Sequence, residues 1–169
     1  VFDAKSNFAR ARITKVLSSG PERIDPPCPH HAAPSRKGPF CGGCDWQHLA
    51  YESQLKHKRE VVVDCVSRIG KFADADKLVL PTMRAPKPMG YRNKVQIPFM
   101  AGEHGPRMGF FSAGSREIVE MRECPIQPDL SVRIALKVKA MAIERAWTFY
   151  DGKTGRGWLR HLFIRTNAE

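Results

Sequence analysis

No run of about 18 apolar residues occurs in the sequence, which excludes a hydrophobic membrane-spanning helix, and no secretory leader is visible. Acidic residues are few: 17 Asp and Glu stand against 28 Lys and Arg, a net charge of +11 over 169 residues. That imbalance disfavours acidic partners and points to polyphosphate, nucleic acid first, although surplus charge also serves plain solubility. There is no glycine-rich strand-to-helix loop able to cradle nucleotide phosphates, and no internal repeat or low-complexity tract. Cysteines number only five, an odd count, and two share one tight Cys41-Gly-Gly-Cys44 turn. This is a poor basis for a disulfide framework and a good one for metal ligation in a reducing compartment, so the cytoplasm is the expected location.

What is present falls into segments. Phe2 to Leu17, with Lys5, Arg10, Arg12 and Lys15, alternates weakly and reads as one or two basic strands, too short to fold alone. Pro21, Pro26, Pro27, Pro29, Pro34 and Pro39 then suit an irregular loop wrapped around a metal centre. With Asp45 read as an N-cap and Gly70 as the stop, Leu55, Val62, Val66 and Ile69 recur at helical spacing. Lys56, His57, Lys58 and Arg59 give that helix a basic face, solvated or turned toward phosphate.

Pro81, Pro86 and Pro88 interrupt regular structure, and Lys94 to Phe99 alternates like a strand in which Pro98 demands an edge position or a bulge. A glycine turn over 102–105, then Met108, Phe110 and Glu117 to Met121, complete an antiparallel meander. Leu130, Ile134, Val138, Met141 and Arg145 predict a helix from Asp129 to Ala146, and Trp158 to Arg165 a further strand. The expected fold class is α+β, an antiparallel meander with two packed helices around the cysteine loop. Starting at Val1 rather than Met and stopping just after the last strand, the chain is expected to be a piece of a longer protein.

In Cys41-Gly-Gly-Cys44 the glycines let the backbone fold back and aim amide N–H groups at sulfur. Spacing alone leaves three readings open: a zinc site completed by Cys28 and Cys124, with His30 and His31 as substitutes; an iron-sulfur cluster; or unligated, redox-active thiols. Cys65 falls inside the first helix, where a small buried apolar role is expected rather than ligation.

Cys41-Gly-Gly-Cys44-Asp-Trp-Gln47-His48-Leu49, followed by Tyr51 and Gln54-Leu55-Lys56-His57-Lys58, resembles the signature of the RNA 5-methyluridine methyltransferases. Pro88-Met-Gly-Tyr91-Arg92-Asn93-Lys94, Gly109-Phe110-Phe111, Ile118-Val-Glu-Met-Arg-Glu-Cys124-Pro-Ile and Leu159-Arg160-His161-Leu162 agree with it in order, so the resemblance spans nearly the whole chain. It implies a 4Fe-4S cluster on Cys28, Cys41, Cys44 and Cys124. Twelve residues separate Cys28 from Cys41, more than is usual in the family, and His30 or His31 stay alternatives to Cys28.

The resemblance further implies methyl transfer from S-adenosylmethionine to C5 of a uridine, with a cysteine adding to C6 and a carboxylate removing the C5 proton. Nucleophile, base and cofactor pocket are then expected in a Rossmann-like domain beyond Glu169, and the chain alone is not expected to methylate. It also implies domain limits: 1–20 as the end of an OB-type (TRAM) barrel, 21–45 as the cluster loop, 46–80 as a helix packing with the catalytic domain, and 81–169 as a central RNA-binding domain. RNA, 23S rRNA above tRNA, is the expected partner of a monomer that meets no membrane. Two readings from other classes remain: a zinc-stabilised stand-alone RNA-binding module and a redox or oxygen-sensing iron-sulfur protein.

For RNA contact, Tyr91, Arg92, Asn93 and Lys94 offer stacking, forked hydrogen bonding, an amide and a point charge within four positions, against a plain strand-entry turn with Arg92 in a surface ion pair. Arg160 and His161 are weighed evenly between the same surface and a structural pair. Lys56, Lys58, Arg59, Arg107 and Arg116 are read as diffuse phosphate attraction. His48 is weighed between supporting the cysteine loop, meeting RNA and being simply satisfied and half-buried, and Trp46, Phe110, Phe111 and Trp158 are expected to sit in the core rather than to stack on bases.

Overall fold

The computed structural model describes residues 1–167 apart from Arg12 and Pro34; the expectations placed on those two lie outside the described residues. The opening segment forms a hairpin of two-residue strands, β1 (Asp3–Ala4) and β2 (Ala9–Arg10). Four further strands, β3 (Lys94–Met100), β4 (Arg107–Phe111), β5 (Ile118–Glu120) and β6 (His161–Arg165), make one antiparallel sheet in the order β5-β4-β3-β6. Among the described residues no helix is long and apolar enough to cross a membrane.

Alternation along β3 drives the core. Val95, Ile97 and Phe99 point to one face and meet Met108, Met121 and Ile164, as period-2 patterning over a one-sided core requires. The meander turn forms where expected, with Gly105 at φ +111° and its amide donating to the Gly102 carbonyl. A positive φ of that kind favours glycine.

Pro98 corrects the edge reading, because β3 is central. Its Cα pairs with His161 of β6, whereas pairing with β4 covers only Phe99 and Met100. Phe99 donates its amide to the Arg160 carbonyl on the β6 side. Successive amides alternate, so the imide nitrogen of Pro98 faces the side where the β4 ladder has already stopped, and no ladder bond is lost there.

The first helix is shorter than the spacing predicts. α1 spans Tyr51–Asp64 and continues as a π-helical turn over Cys65–Ile69; its N-cap is Ala50, without a side-chain cap, rather than Asp45. α1 buries no residue, and Val61, Val62 and Ile69 are exposed. It is therefore not a second helix packed into the core. Cys65, expected to be buried, is exposed at the start of the π turn. A short helix, α2 (Ala75–Leu78), follows, and Arg59 clamps it to α1.

α3 (Asp129–Glu144) packs on the core face of the sheet. The buried positions are Ser131, Ala135 and Ala142, with Ile134 and Val138 half-buried at their flanks. Leu130, by contrast, is 49 % exposed. Small residues on the inner face let the helix axis approach the sheet closely, so the contact stripe does not follow the bulky side chains.

Candidate metal centre and RNA-facing surface

The cysteine loop is closed by a stem that sequence reading missed. Ala50 donates its amide to the Glu22 carbonyl and Ile24 to the His48 carbonyl, each at 2.9 Å, with Arg23 bridging Leu49. Inside the stem, Arg36 holds the turn that carries Cys28, its guanidinium donating to the carbonyls of Cys28, Pro26 and His31 and to the Asp25 carboxylate. Gln47 is 7 % exposed, and its Oε1 accepts the Cys28 amide at 3.2 Å. Thus a residue of the CGGC block fixes the distant Cys28.

The Cys41–Cys44 turn lies against the β4–β5 hairpin. Gly42 donates to the Phe111 carbonyl at 2.9 Å, Cys41 bridges Ser112, and Cys41 donates its own amide to the His30 carbonyl. Gly42 is glycine because of close approach: a Cβ there would stand 2.9 Å from both Cα and N of Ala113. The amide of Gly43 points at the Cys41 Sγ, 3.4 Å away, the amide-to-sulfur arrangement expected of the two glycines.

Cys124 reaches the same place from the turn after β5. Gly90 and Arg92 donate to the carbonyls of Pro125 and Ile126, so the block containing Tyr91 to Lys94 is stitched to the Cys124 turn. Cys28, Cys41, Cys44 and Cys124 then line one narrow cavity with His31, Arg92 and Phe110. Burial raises the pKa of Cys28 and of Cys41, and the neighbouring thiols push both the same way. Gly43 and Arg92 act in the opposite sense on Cys41. Among the described residues no three His, Cys, Asp or Glu side chains converge tightly enough to hold a single metal ion.

The histidines are secondary. His31 is 7 % exposed and lines the cavity, its Nδ1 engaged with the Ala32 carbonyl. His30 offers Nε2 to the Arg122 amide, and burial lowers its pKa. His48 is half-buried, its ring 5.8 Å from that of His31, and burial lowers its pKa too.

The residues expected to meet RNA separate into groups. Arg92 lines the cysteine cavity, and among the described residues it takes part in no surface ion pair. Tyr91, 61 % exposed, lines an open cleft of about 550 Å³ beside the cysteines with Lys58, Trp46 and Tyr51. Asn93 and Lys94 are exposed at the start of β3. Arg59 is committed to structure: it meets the Asp76 carboxylate at 2.8 Å and donates to the carbonyls of Asp76 and Val79. Arg107 likewise donates to the Ile118 carbonyl across the hairpin.

Lys56 sits near Glu22 and Glu60 at 3.8 and 3.9 Å. Arg160 lies over the Tyr150 ring at 4.3 Å, and His161 opens β6. Of the aromatics assigned to the core, Phe110 packs against it, whereas Phe111 is 39 % and Trp158 70 % exposed, the latter edge-on to Trp147.

No family model matches the chain. It is 33 % identical over 162 residues to an uncharacterized RNA methyltransferase of Synechocystis, covering 95 % of this chain and 33 % of that protein. A counterpart from Halalkalibacterium halodurans is 34 % identical over 98 % of this chain and 34 % of its own length. One from Staphylococcus epidermidis is 36 % identical over 96 % and 34 %. In three dimensions the chain is similar to the tRNA (uracil-54, C5)-methyltransferase of Pyrococcus abyssi, solved with S-adenosyl-L-homocysteine, with a TM-score of 0.64 and 25 % identity over 90 % of this chain and 31 % of that one. The chain thus spans about a third of the length of the relatives it matches. Along almost all of its own length it is a homologue of the RNA methyltransferases, as its motifs imply.

Proposed function

We propose that this chain is the cluster-bearing, RNA-recognising portion of an S-adenosylmethionine-dependent RNA uracil-C5-methyltransferase acting on 23S rRNA. The observation that carries the cluster half of this reading is the meeting of four cysteines, from three separate stretches of sequence, around one cavity. Their donor chemistry fits iron-sulfur ligation: all four are thiols, no carboxylate among the described residues lines the cavity, and a backbone amide already points at one sulfur. A lone zinc ion needs every sulfur at about 2.3 Å from one centre. A cluster spreads its four ligands over separate irons, and a ligand set made of four cysteine thiols suits it.

When bound, the cluster would supply cationic iron that offsets four thiolates and cross-links the loop, the hairpin and the Cys124 turn. The chain's own residues do the rest. Gln47 and Arg36 orient the Cys28 arm, Arg92 offsets negative charge on sulfur, and Phe110 and Ile126 exclude water. Tyr91 and Lys58 in the adjoining cleft are the proposed RNA contacts closest to the centre. The exposed Val61, Val62 and Ile69 of the first helix are proposed to meet the catalytic domain of the whole enzyme, where S-adenosylmethionine would bind.

Anaerobic purification with iron, sulfide and zinc analysis tests the reading. The expected result is about four iron and four sulfide per chain with broad visible absorption, lost together with thermal stability in Cys41→Ser or Cys124→Ser. Stoichiometric zinc without iron, or full iron retention by either variant, refutes the ligand set.

A further inference from the structure

The open face of the four-stranded sheet carries a charge arrangement that the fold itself disfavours. Alternation sends Val95, Ile97 and Ile164 into the core and leaves Lys94, Gln96, His161, Phe163 and Arg165 on the opposite face. In the β3–β6 register Lys94 stands directly across from Arg165, and Gln96 across from Phe163. Like charges in that relation repel and weaken strand pairing. Among the described residues neither cation takes part in an ion pair. Beside them Phe163 is 63 % exposed, its ring 6.4 Å from that of His161. Neither the repulsion nor the bare ring helps the chain fold, but an anion between the two cations and a flat partner on the ring would relieve both.

We propose that this face binds a single-stranded stretch of RNA, one base stacked on Phe163, the flanking phosphates drawn to Lys94 and Arg165, and the Gln96 amide hydrogen-bonding a base edge. Single-stranded RNA is the occupant because its bases can splay out, whereas a duplex hides their faces and presents mainly backbone and groove edges. An acidic protein segment could meet the two cations but would leave the ring without a π-partner. The proposal rests on the RNA-recognition reading above and adds to it a second contact surface, on the sheet rather than in the cleft beside the cysteines.

The test is fluorescence anisotropy with a labelled oligouridylate about ten nucleotides long, using the whole chain purified anaerobically, alongside thermal unfolding. Phe163→Ala weakens binding about 5- to 150-fold, the range for loss of one base-aromatic stack, and Phe163→Tyr keeps affinity near wild type. Lys94→Gln and Arg165→Gln each flatten the salt dependence by about 0.7 in log–log slope, without lowering the melting temperature, since each removes a repulsion. Binding by Phe163→Ala equal to wild type, equal affinity for a duplex, or a melting temperature lowered by Lys94→Gln or Arg165→Gln overturns the inference while the general RNA reading stands. A wild-type chain that binds no RNA at any salt overturns both.

Discussion

Substituting either glycine of the Cys41–Cys44 turn separates steric necessity from mere proximity to the cysteines. At Gly42 a methyl group would meet backbone atoms of Ala113 at 2.9 Å and the Phe111 carbonyl at 3.2 Å, and backbone on a hairpin cannot rotate away as a side chain can. Overpacking of this kind costs about 1–3 kcal/mol, offset by about 0.4–1 kcal/mol from the smaller entropy of the unfolded chain when glycine becomes alanine. Retreat of the loop would relieve the clash but would lose the Gly42 amide bond to Phe111, worth about 0.5–1.5 kcal/mol. Gly42→Ala should therefore destabilise by about 1–2 kcal/mol and displace Cys41 and Cys44 from Cys124. At Gly43 the nearest atom to a new Cβ is the Cys41 Sγ at 3.4 Å, an ordinary contact. Gly43→Ala should be neutral or stabilising by about 0.4–1 kcal/mol. Urea unfolding together with iron content reads both effects. Equal behaviour of the two variants, or a Gly42→Ala protein as stable and as iron-rich as wild type, would refute the seating of the turn on the hairpin.

Two further outcomes follow from the ion pairs. His57 lies between Glu22 and Glu60 at 2.8 and 2.7 Å, and its hydrogen bond to Glu22 raises the His57 pKa and lowers that of Glu22. The raised histidine contributes stability in full below its unfolded value of about 6.5 and loses it as pH rises through the folded one; the lowered carboxylate contributes above about 4.3 and loses it as pH falls through its folded value. The tie between the loop stem and α1 is thus strongest between those limits. The melting-temperature gap between wild type and His57→Gln should peak there, and a gap flat from acid to alkali would contradict the pairing. The two basic neighbours Lys58 and Arg59 should differ in kind. Arg59→Ala loosens α2 by about 1 kcal/mol with little change in the salt dependence of RNA binding, whereas Lys58→Ala leaves stability alone and flattens that dependence by about 0.7; the reverse pattern would undo their assignment.

The meander was legible because its signals are local: the alternation of Val95, Ile97 and Phe99 sets the core face, and the glycines over 102–105 set the turn. α3 was legible in extent but not in face, since its inner contacts are Ser131, Ala135 and Ala142, residues that a reading by hydrophobicity ranks below Leu130. The stem of residues 22–24 with 48–50 carries no periodicity at all; it is defined by backbone bonds between segments that flank the cysteine loop. Gln47 stood inside the recognised signature, yet its bond to the Cys28 amide is long-range and has no local trace. The cation at Arg92 was visible in the sequence, but its direction was not, because one residue of register decides whether a side chain points inward or out.

That single-residue register also suggests what the cysteine centre is for. Within Tyr91 to Lys94, Tyr91 lines the open cleft, Arg92 lines the cysteine cavity and Lys94 begins the exposed face of the sheet. The segment is pinned at Gly90 and Arg92 to the carbonyls of Pro125 and Ile126, immediately beside Cys124, and Asn93 accepts the Thr166 amide just after β6. Ligation of Cys124 would therefore hold the strip that carries both side chains proposed to face RNA, without electron transfer and without a direct contact between the proposed cluster and RNA. A purely structural centre acts on RNA affinity through Tyr91 and Lys94 together, so losing it should weaken binding no further once both side chains are removed. In a double-mutant cycle, Cys124→Ser should cost RNA affinity in the wild-type background and little in Tyr91→Ala/Lys94→Gln. Strict additivity of the two losses would break this link between the cysteine centre and the RNA surface.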